Sequence, residues 1–385
     1  MLSRTALLAL GFRPFFLAAG GSAALLMGLW LAMLIGWMTP EHYYGAANWH
    51  AHEMLFGYTA AVIAGFLLTA VRNWTGMDTL SGARLGALVL LWLAARIAPF
   101  LPIPGILVAF LDLAFLPLLA VSLFHHLWGG RNPVNRVFLL LLVGMWLASA
   151  LSHLQALGVS AATASRGNRL MLDLVLLTLL LVSGRIMPFF TERGIPGARP
   201  VTRMSVERLT FTLAPLVLAS NLLSLWPSAS GILTLTLGCV QAVRLAGWHD
   251  KRAWGIPILA VLYAGYLWLI AGLVLDGLAD TGLLLPYPAL HALTTGAIGV
   301  FTLGMMARVT LGHTGREMRS SGLTNLSFVL ANLAAFVRVL LPVVMPQGYN
   351  IWLYTSGLLW ILAFLLFLWV HAPMLIAPRA DGKPG

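Results

Sequence analysis

The residues best suited to chemistry lie close together in the segment WHAHE, at positions 49–53. His50, His52 and Glu53 open an otherwise apolar run that continues as MLFGYTAAVIAGFLLTAV. Neutral imidazole is the commonest metal ligand in proteins and a frequent axial ligand to haem, and a neighbouring carboxylate can carry protons. Ionisable groups next to hydrocarbon are costly, so the segment predicts a functional site with a partner that compensates them.

The composition identifies the class of protein. Of 385 residues, 60% are hydrophobic and 9% charged, whereas soluble domains carry roughly 25% charged residues. The chain is therefore predicted to lie in a lipid bilayer. The net charge of +11 comes from basic residues scattered in short loops, which argues against a nucleic-acid partner. The only cysteine, Cys239, excludes an internal disulfide and a C-x-x-C-H haem attachment.

Apolar runs separated by Pro, Gly and Arg predict an all-α polytopic membrane protein of about twelve transmembrane helices. They form one integral membrane domain over residues 1–385. The predicted spans are 15–38, 49–71, 82–100, 105–126, 137–158, 170–190, 208–226, 230–246, 256–276, 284–307, 322–344 and 349–371.

Basic residues give the predicted orientation. With twelve spans, nineteen of the 23 lie on one side, and only Arg96, Arg166, Arg169 and Arg338 lie on the other. Because Lys and Arg concentrate in cytoplasmic loops, we expect both termini in the cytoplasm. The longest loop, TERGIPGARPVTRMS, follows span six, so two six-helix halves (1–190 and 208–371) are one possible division, although no convincing sequence repeat supports it.

This orientation brings five histidines into the outer third of the bilayer or the outer loop. They are His42, His50, His52, His153 and His291. The last four, on three helices at similar depth, are candidate metal ligands, and the alternative is that each only hydrogen-bonds a neighbouring helix. The five histidines on the cytoplasmic side are expected to contact water or headgroups. They are His125, His126, His249, His313 and His371.

Helical phase separates the two histidines of span two. His50 and Glu53 share a face, whereas His52 lies about 200° around the helix from His50, so the two imidazoles are expected to serve different partners. Small residues follow the His50 face, and glycines border His291 in span ten. These surfaces suit either a flat macrocycle or helix packing, and the sequence leaves both open.

Two arginines lie within predicted spans near the outer side. Arg96 and Arg338 each require an anionic partner at that depth. Asp112 and Asp173, which also lie in spans, are the candidates from the sequence, and haem propionates are the alternative.

Four motifs resemble the NnrS family of bacterial inner-membrane proteins. They are GFRPFFLAAG (11–20), WHAHEMLFGYTAAVIAGFLLTAVRNWTG (49–76), SGRIMPFF (183–190) and HALTTGAIGVFTLGMMARVTLGHTGR (291–316). The family is described as having twelve helices, haem and copper, and a role in nitric oxide metabolism and tolerance of nitrosative stress. The resemblance therefore implies non-covalent haem b and copper here, with nitric oxide or a related small molecule as the partner in the bilayer.

On this resemblance, we expect His291 and one of His50 or His52 to bind haem. The other histidine of span two, with His153, is then expected near copper. Glu53 is the candidate catalytic proton carrier, and Arg96 and Arg338 are candidate contacts of the cofactor. His313 lies about 33 Å along the helix from His291, so we expect it to stay outside this site.

Two further functions compete with this interpretation. Twelve helices in two groups of six suit a secondary transporter. The substrate site of a transporter should lie at mid-membrane, however, where the predicted spans have few polar groups. A haem-copper-oxidase-like nitric oxide reductase lacks its mid-membrane histidine pair, because His125 and His126 fall at the cytoplasmic end. The sequence leaves open whether the protein is an oxidoreductase or a protective binding protein, and which electron donor it would use.

The predicted orientation can be tested with topology reporters. A reporter fused after Pro40 should be active outside the cytoplasm, and one fused after Arg316 should be active inside it, because an odd and an even number of spans precede them. Activity of both fusions on the same side would contradict the predicted arrangement.

Overall fold

The computed structural model describes residues 6–38, 43–223 and 226–383, and within them the chain forms twelve long helices and no strand. The helices are α1 (Phe12–Leu34), α2 (Ala46–Thr75), α3 (Gly82–Phe100), α4 (Gly105–Trp128), α5 (Pro133–Ala156), α6 (Thr163–Gly194), α7 (Met204–Leu222), α8 (Pro227–Trp248), α9 (Pro257–Asp280), α10 (Pro286–His313), α11 (Gly322–Val344) and α12 (Pro346–Ile376).

The predicted count of twelve helices is confirmed, and the ends differ. Helix α6 runs over Thr163–Gly194, where the apolar run predicted 170–190, because polar turns continue the helix past the apolar stretch at both ends. In the described part of the chain, eleven helices are long and apolar enough to cross a bilayer. The twelfth is α7, which carries Glu207 and Arg208 near its start. The chain is thus a multi-pass helical membrane protein.

Within the fold, the residues cluster into two compact units. The first comprises Met1–Leu174, Val309–Glu317 and Phe367–Gly385, and the second comprises Val175–Arg308 and Met318–Leu366. The division into two consecutive six-helix halves stays a prediction.

In the first unit, α1 packs closely against α2. Gly65 leaves the space that the ring of Phe16 and the Cβ atom of Phe15 fill, and the backbone N–H of Phe12 donates to Thr69 Oγ1 at 3.1 Å. The buried guanidinium of Arg13 donates to the carbonyls of Leu375 and Ala377, at 3.0 and 2.7 Å, near the end of α12. Carbonyls at a helix C-terminus lack helical donors, so a cation there stabilises the end.

In the second unit, glycines let large side chains approach. Trp268 fills the space beside Gly296, and Trp360 fills the space beside Gly299. These glycines are therefore packing positions in this structure, and the surface beside them that a flat macrocycle would need is occupied by indole rings. Of the two interpretations of these two glycines, helix packing is the one the structure shows.

Helices α2 and α10 share an unusual feature. Each changes from α to π hydrogen bonding directly after a histidine, His52 in α2 and His291 in α10, and then returns to α. The π segments are Glu53–Thr59 and Ala292–Val300. A π segment widens the helix and shifts the phase of everything after it, and such segments are common at functional sites.

The two helices also match in sequence layout. In both, a glycine follows the histidine by five positions and another follows by thirteen, namely Gly57 and Gly65 in α2 and Gly296 and Gly304 in α10. Both helices lead into a Thr-Gly pair whose glycine has a positive φ, 72° at Gly76 and 71° at Gly315. The structure thus reveals a repeated motif that was not evident from the sequence.

Candidate metal centre

A cluster of buried ionisable residues lies at one end of the first unit, where α2 and α4 begin and α3 and α5 end. Its members are His52 and Glu53 on α2, Arg96 on α3, Asp112 on α4 and His153 on α5. All five are buried, with His52 and Glu53 0% exposed and His153 1% exposed. Four helices are needed to assemble this group, which explains why no local motif shows it.

Three of these side chains present donor atoms to a common point. His153 Nε2 lies 3.0 Å from Asp112 Oδ2, and His52 Nε2 lies 3.4 Å from the same oxygen. The three donors all lie within 4.8 Å of one another. Imidazole nitrogen and carboxylate oxygen are common ligands of zinc, copper and iron, so this group could hold a metal ion.

Asp112 is held by donors on its other sides. Arg96 contacts Asp112 Oδ1 through Nη2, and its Nη1 donates to Glu53 Oε1 at 2.8 Å. The Ser149 hydroxyl donates to Asp112 Oδ2 at 2.8 Å. A ligating carboxylate in a metal site is typically oriented by such outer hydrogen bonds.

The charge balance of the cluster favours a cation. Two carboxylates face one guanidinium, so with neutral imidazoles the formal charge is −1 in a buried region. Glu53 Oε2 is buried and has no hydrogen-bond partner among the described residues, and the same holds for the hydroxyl of Ser152. An uncompensated buried negative charge is costly, and a bound cation would offset it.

Two tyrosines that precede α2 contact the histidines of the cluster. The Tyr43 hydroxyl lies 3.0 Å from His153 Nδ1, while the Tyr44 hydroxyl lies 3.2 Å from His52 Nε2 and 3.4 Å from His153 Nε2. Burial raises the pKa of Tyr43 to about 12 and raises the pKa of Tyr44 well above its ordinary value, so both phenols are protonated when no cation is near.

Gly57, in the π segment of α2, leaves room for the side chains of Glu53 and Arg96. At Gly57 a Cβ atom would lie 3.1 Å from Glu53 Oε2 and 3.2 Å from Arg96 Cδ, so a larger residue would crowd the ion pair. The Trp92 indole donates to the Gly57 carbonyl at 3.1 Å. Glycine here provides the space through which Arg96 reaches the carboxylates.

His50 lies outside this cluster. Its ring stacks on Trp30, with centroids 4.5 Å apart and planes 12° apart. The separation of His50 from His52 follows the helical phase expected from the sequence. His42, the remaining histidine expected on this side, falls outside the described residues.

The predicted site residues of the second unit are His291 and Arg338. His291 Nδ1 lies 2.8 Å from the carbonyl of Tyr287. Since a carbonyl only accepts, Nδ1 carries the proton and Nε2 the lone pair, which is the usual orientation of a ligating histidine. Arg338 lies over the ring of Tyr349, with its guanidinium carbon 5.7 Å from the centroid.

One of the histidines expected to contact water or headgroups is instead buried. His371 is 1% exposed, its ring stacks on Phe367 at 4.7 Å, and its Nδ1 donates to the Phe367 carbonyl at 3.1 Å. The expectation for His371 was wrong because the aromatic neighbour and the carbonyl one turn earlier satisfy the imidazole inside the protein.

Four of the five cluster members, His52, Glu53, Arg96 and His153, are site residues expected from the sequence. The fifth, Asp112, was expected only as a partner of arginine, and the neighbours Tyr43, Tyr44 and Ser149 were not expected at the site. The available signals were the position of Asp112 seven residues into its helix, at a depth similar to that of His153, and two adjacent tyrosines just before WHAHE.

The ion pairs of Arg96 can be tested by stability. Arg96→Met leaves two buried carboxylates without a cation, and breaking a buried pair costs about 3–5 kcal/mol, so the variant should unfold at a markedly lower temperature in detergent. Arg166→Met, at an exposed position, should change stability by about 0.5 kcal/mol or less. Equal stability of the two variants would contradict the role given to Arg96.

Comparison with known proteins agrees with the resemblance carried by the motifs. The family description "NnrS protein" matches residues 6–379, which is nearly the whole chain. No curated protein matches the sequence. Given this coverage, together with the multi-pass helical fold, the chain belongs to the NnrS family.

Proposed function

We propose that this protein is a haem- and copper-containing membrane protein of nitric oxide metabolism that protects against nitrosative stress. Its copper would be bound by His52, Asp112 and His153. The basic residues support an inner-membrane orientation with both termini in the cytoplasm, which would set this centre in the outer third of the bilayer.

The observation that carries the proposal is the convergence of three buried donors from α2, α4 and α5 within 4.8 Å. Ionisable groups within membrane-spanning helices are costly and usually functional, and here their arrangement matches the ligands of a transition metal. The formal charge of −1 further favours a cation. The family membership supports copper among the metals that this donor set suits.

The surrounding residues position the donors. Arg96 and Ser149 hold Asp112, while Glu53 Oε1 lies 3.5 Å from His52 Nδ1, behind the imidazole. A hydrogen bond from a ligating histidine to such a carboxylate would fix the ring and raise its basicity, and in this structure His52 Nδ1 makes no hydrogen bond to a described residue. The remaining oxygen of Glu53 has no hydrogen-bond partner among the described residues, which suits it to accept a proton at the site.

For haem, His291 is the proposed axial ligand. Its Nδ1 donates to the Tyr287 carbonyl, so the ring presents Nε2 as the ligating atom. The surface beside Gly296 and Gly299 is filled by Trp268 and Trp360, so any porphyrin must lie elsewhere around His291. From the sequence, His50 in the first unit is also a candidate haem ligand, and Arg96 and Arg338 are candidate contacts of a cofactor, each within its own unit. When bound, haem and copper would supply redox-active metals that bind nitric oxide.

The copper site is tested by metal analysis of the purified protein. His153→Ala removes one of three ligands and should reduce bound copper at least about tenfold, since even outer residues of metal sites contribute 10- to 100-fold to affinity. His125→Ala, an exposed histidine, should retain copper at the wild-type level. Wild-type protein without copper would refute the proposed site.

The haem ligand is tested by the pyridine haemochrome and the Soret band. His291→Ala should lose haem, because it removes the imidazole that the Tyr287 carbonyl orients. His313→Ala should keep it, because His313 contacts the ring of Phe12 in the first unit, with ring centroids 5.5 Å apart. Full haem content in His291→Ala would refute this ligand assignment, and a wild-type protein without a Soret band would refute the haem.

A further inference from the structure

Four polar atoms of the cluster form a ring in which nitrogen and oxygen alternate. Going around it, the Tyr44 hydroxyl lies 3.2 Å from His52 Nε2, which lies 3.4 Å from Asp112 Oδ2. That oxygen lies 3.0 Å from His153 Nε2, which lies 3.4 Å from the Tyr44 hydroxyl.

Hydrogen bonds alone cannot satisfy these four separations. Each imidazole Nε2 carries either one proton or one lone pair, so each can make only one of its two contacts as a good hydrogen bond. A cation at the centre of the ring would interact favourably with all four atoms at once.

The separations also have the size expected of ligands around a metal. With bonds of about 2.0–2.1 Å, neighbouring ligands lie roughly 2.9 Å apart in a square-planar site and roughly 3.4 Å apart in a tetrahedral one. The four observed separations, 3.0 to 3.4 Å, fall in this interval.

Ring stacking holds the side chain of Tyr44 beside His52. Its ring stacks on His52, with centroids 4.4 Å apart and planes 25° apart, so the hydroxyl and Nε2 lie side by side. Tyr44 is 7% exposed, and α2 begins two residues later, at Ala46. Tyr43 differs, because its hydroxyl lies at His153 Nδ1, on the side of the ring away from the cluster.

We propose that Tyr44 is the fourth ligand of the metal, through its phenolate oxygen. This inference rests on the proposed copper site and completes it as two imidazoles, one carboxylate and one phenolate. Binding of Cu²⁺ would release the phenol proton to solvent, since a coordinated metal strongly favours the deprotonated ligand.

Four protein ligands complete a four-coordinate site, and Cu²⁺ also accepts weaker axial ligands. A small external ligand that takes one of the four positions must displace a protein ligand. Tyr44 is the ligand best placed to leave, because it belongs to the connection between α1 and α2 and the other three ligands belong to membrane-spanning helices.

The test uses full-length protein in detergent, stripped of metal and titrated with CuSO₄. Wild-type protein should bind Cu²⁺ and show a visible phenolate-to-copper charge-transfer band with resonance Raman modes of a tyrosine ring. Tyr44→Phe should lose the band and bind Cu²⁺ at least about tenfold more weakly. Tyr43→Phe, the matched control, should keep the band.

Azide provides a second readout. It should give an azide-to-copper band at a lower azide concentration in Tyr44→Phe than in the wild type, because in the variant azide displaces no protein ligand. Labelling with ring-deuterated tyrosine should shift the Raman modes in the wild type and also in Tyr43→Phe, which lacks the neighbouring tyrosine. This measurement tests the ligand even if Tyr44→Phe folds poorly.

The outcomes separate the two proposals. A wild-type protein that binds no Cu²⁺ at this site refutes the copper site, and Tyr44 as a ligand falls with it. A wild-type protein that binds Cu²⁺ without a tyrosine-derived band, or a Tyr44→Phe variant that keeps the band, overturns only the role of Tyr44.

Discussion

The contact between Arg96 and Asp112 is the interaction on which the candidate site depends. Two charged groups on neighbouring helices lie within a segment of the chain that is otherwise apolar, where separating them would leave a costly unpaired charge. This pairing fixes the oxygen of Asp112 that faces His52 and His153. The same guanidinium holds Glu53, so one side chain orders both carboxylates of the cluster.

The backbone is shaped to permit this arrangement. The π segment after His52 and the absence of a side chain at Gly57 allow the guanidinium to reach Glu53 across the helix surface. An equivalent π segment follows His291 in α10, with glycines at the same spacing. The same local structure, a histidine followed by a π segment, therefore occurs twice in the chain.

The sequence predicted the twelve helices because each is a long apolar run bounded by loop residues, and hydrocarbon thickness fixes its minimum length. The sequence also predicted that the side chains of His50 and His52 point in different directions, because their directions depend only on the helical phase of α2. It did not identify Asp112 or Tyr44 as donors, because their proximity to His52 depends on which faces of α2 and α4, and which part of a loop, meet in space. The glycines beside His291 suited a cofactor or packing equally until the positions of Trp268 and Trp360 were known.

Copper X-ray absorption of the purified protein would show directly whether His52, Asp112 and His153 bind a copper ion. We expect a first shell of nitrogen and oxygen only, at about 2.0 Å, with outer scattering from two imidazole rings that is halved in His153→Ala. A copper–sulfur shell, or a wild-type spectrum unchanged by loss of His153, would contradict this site.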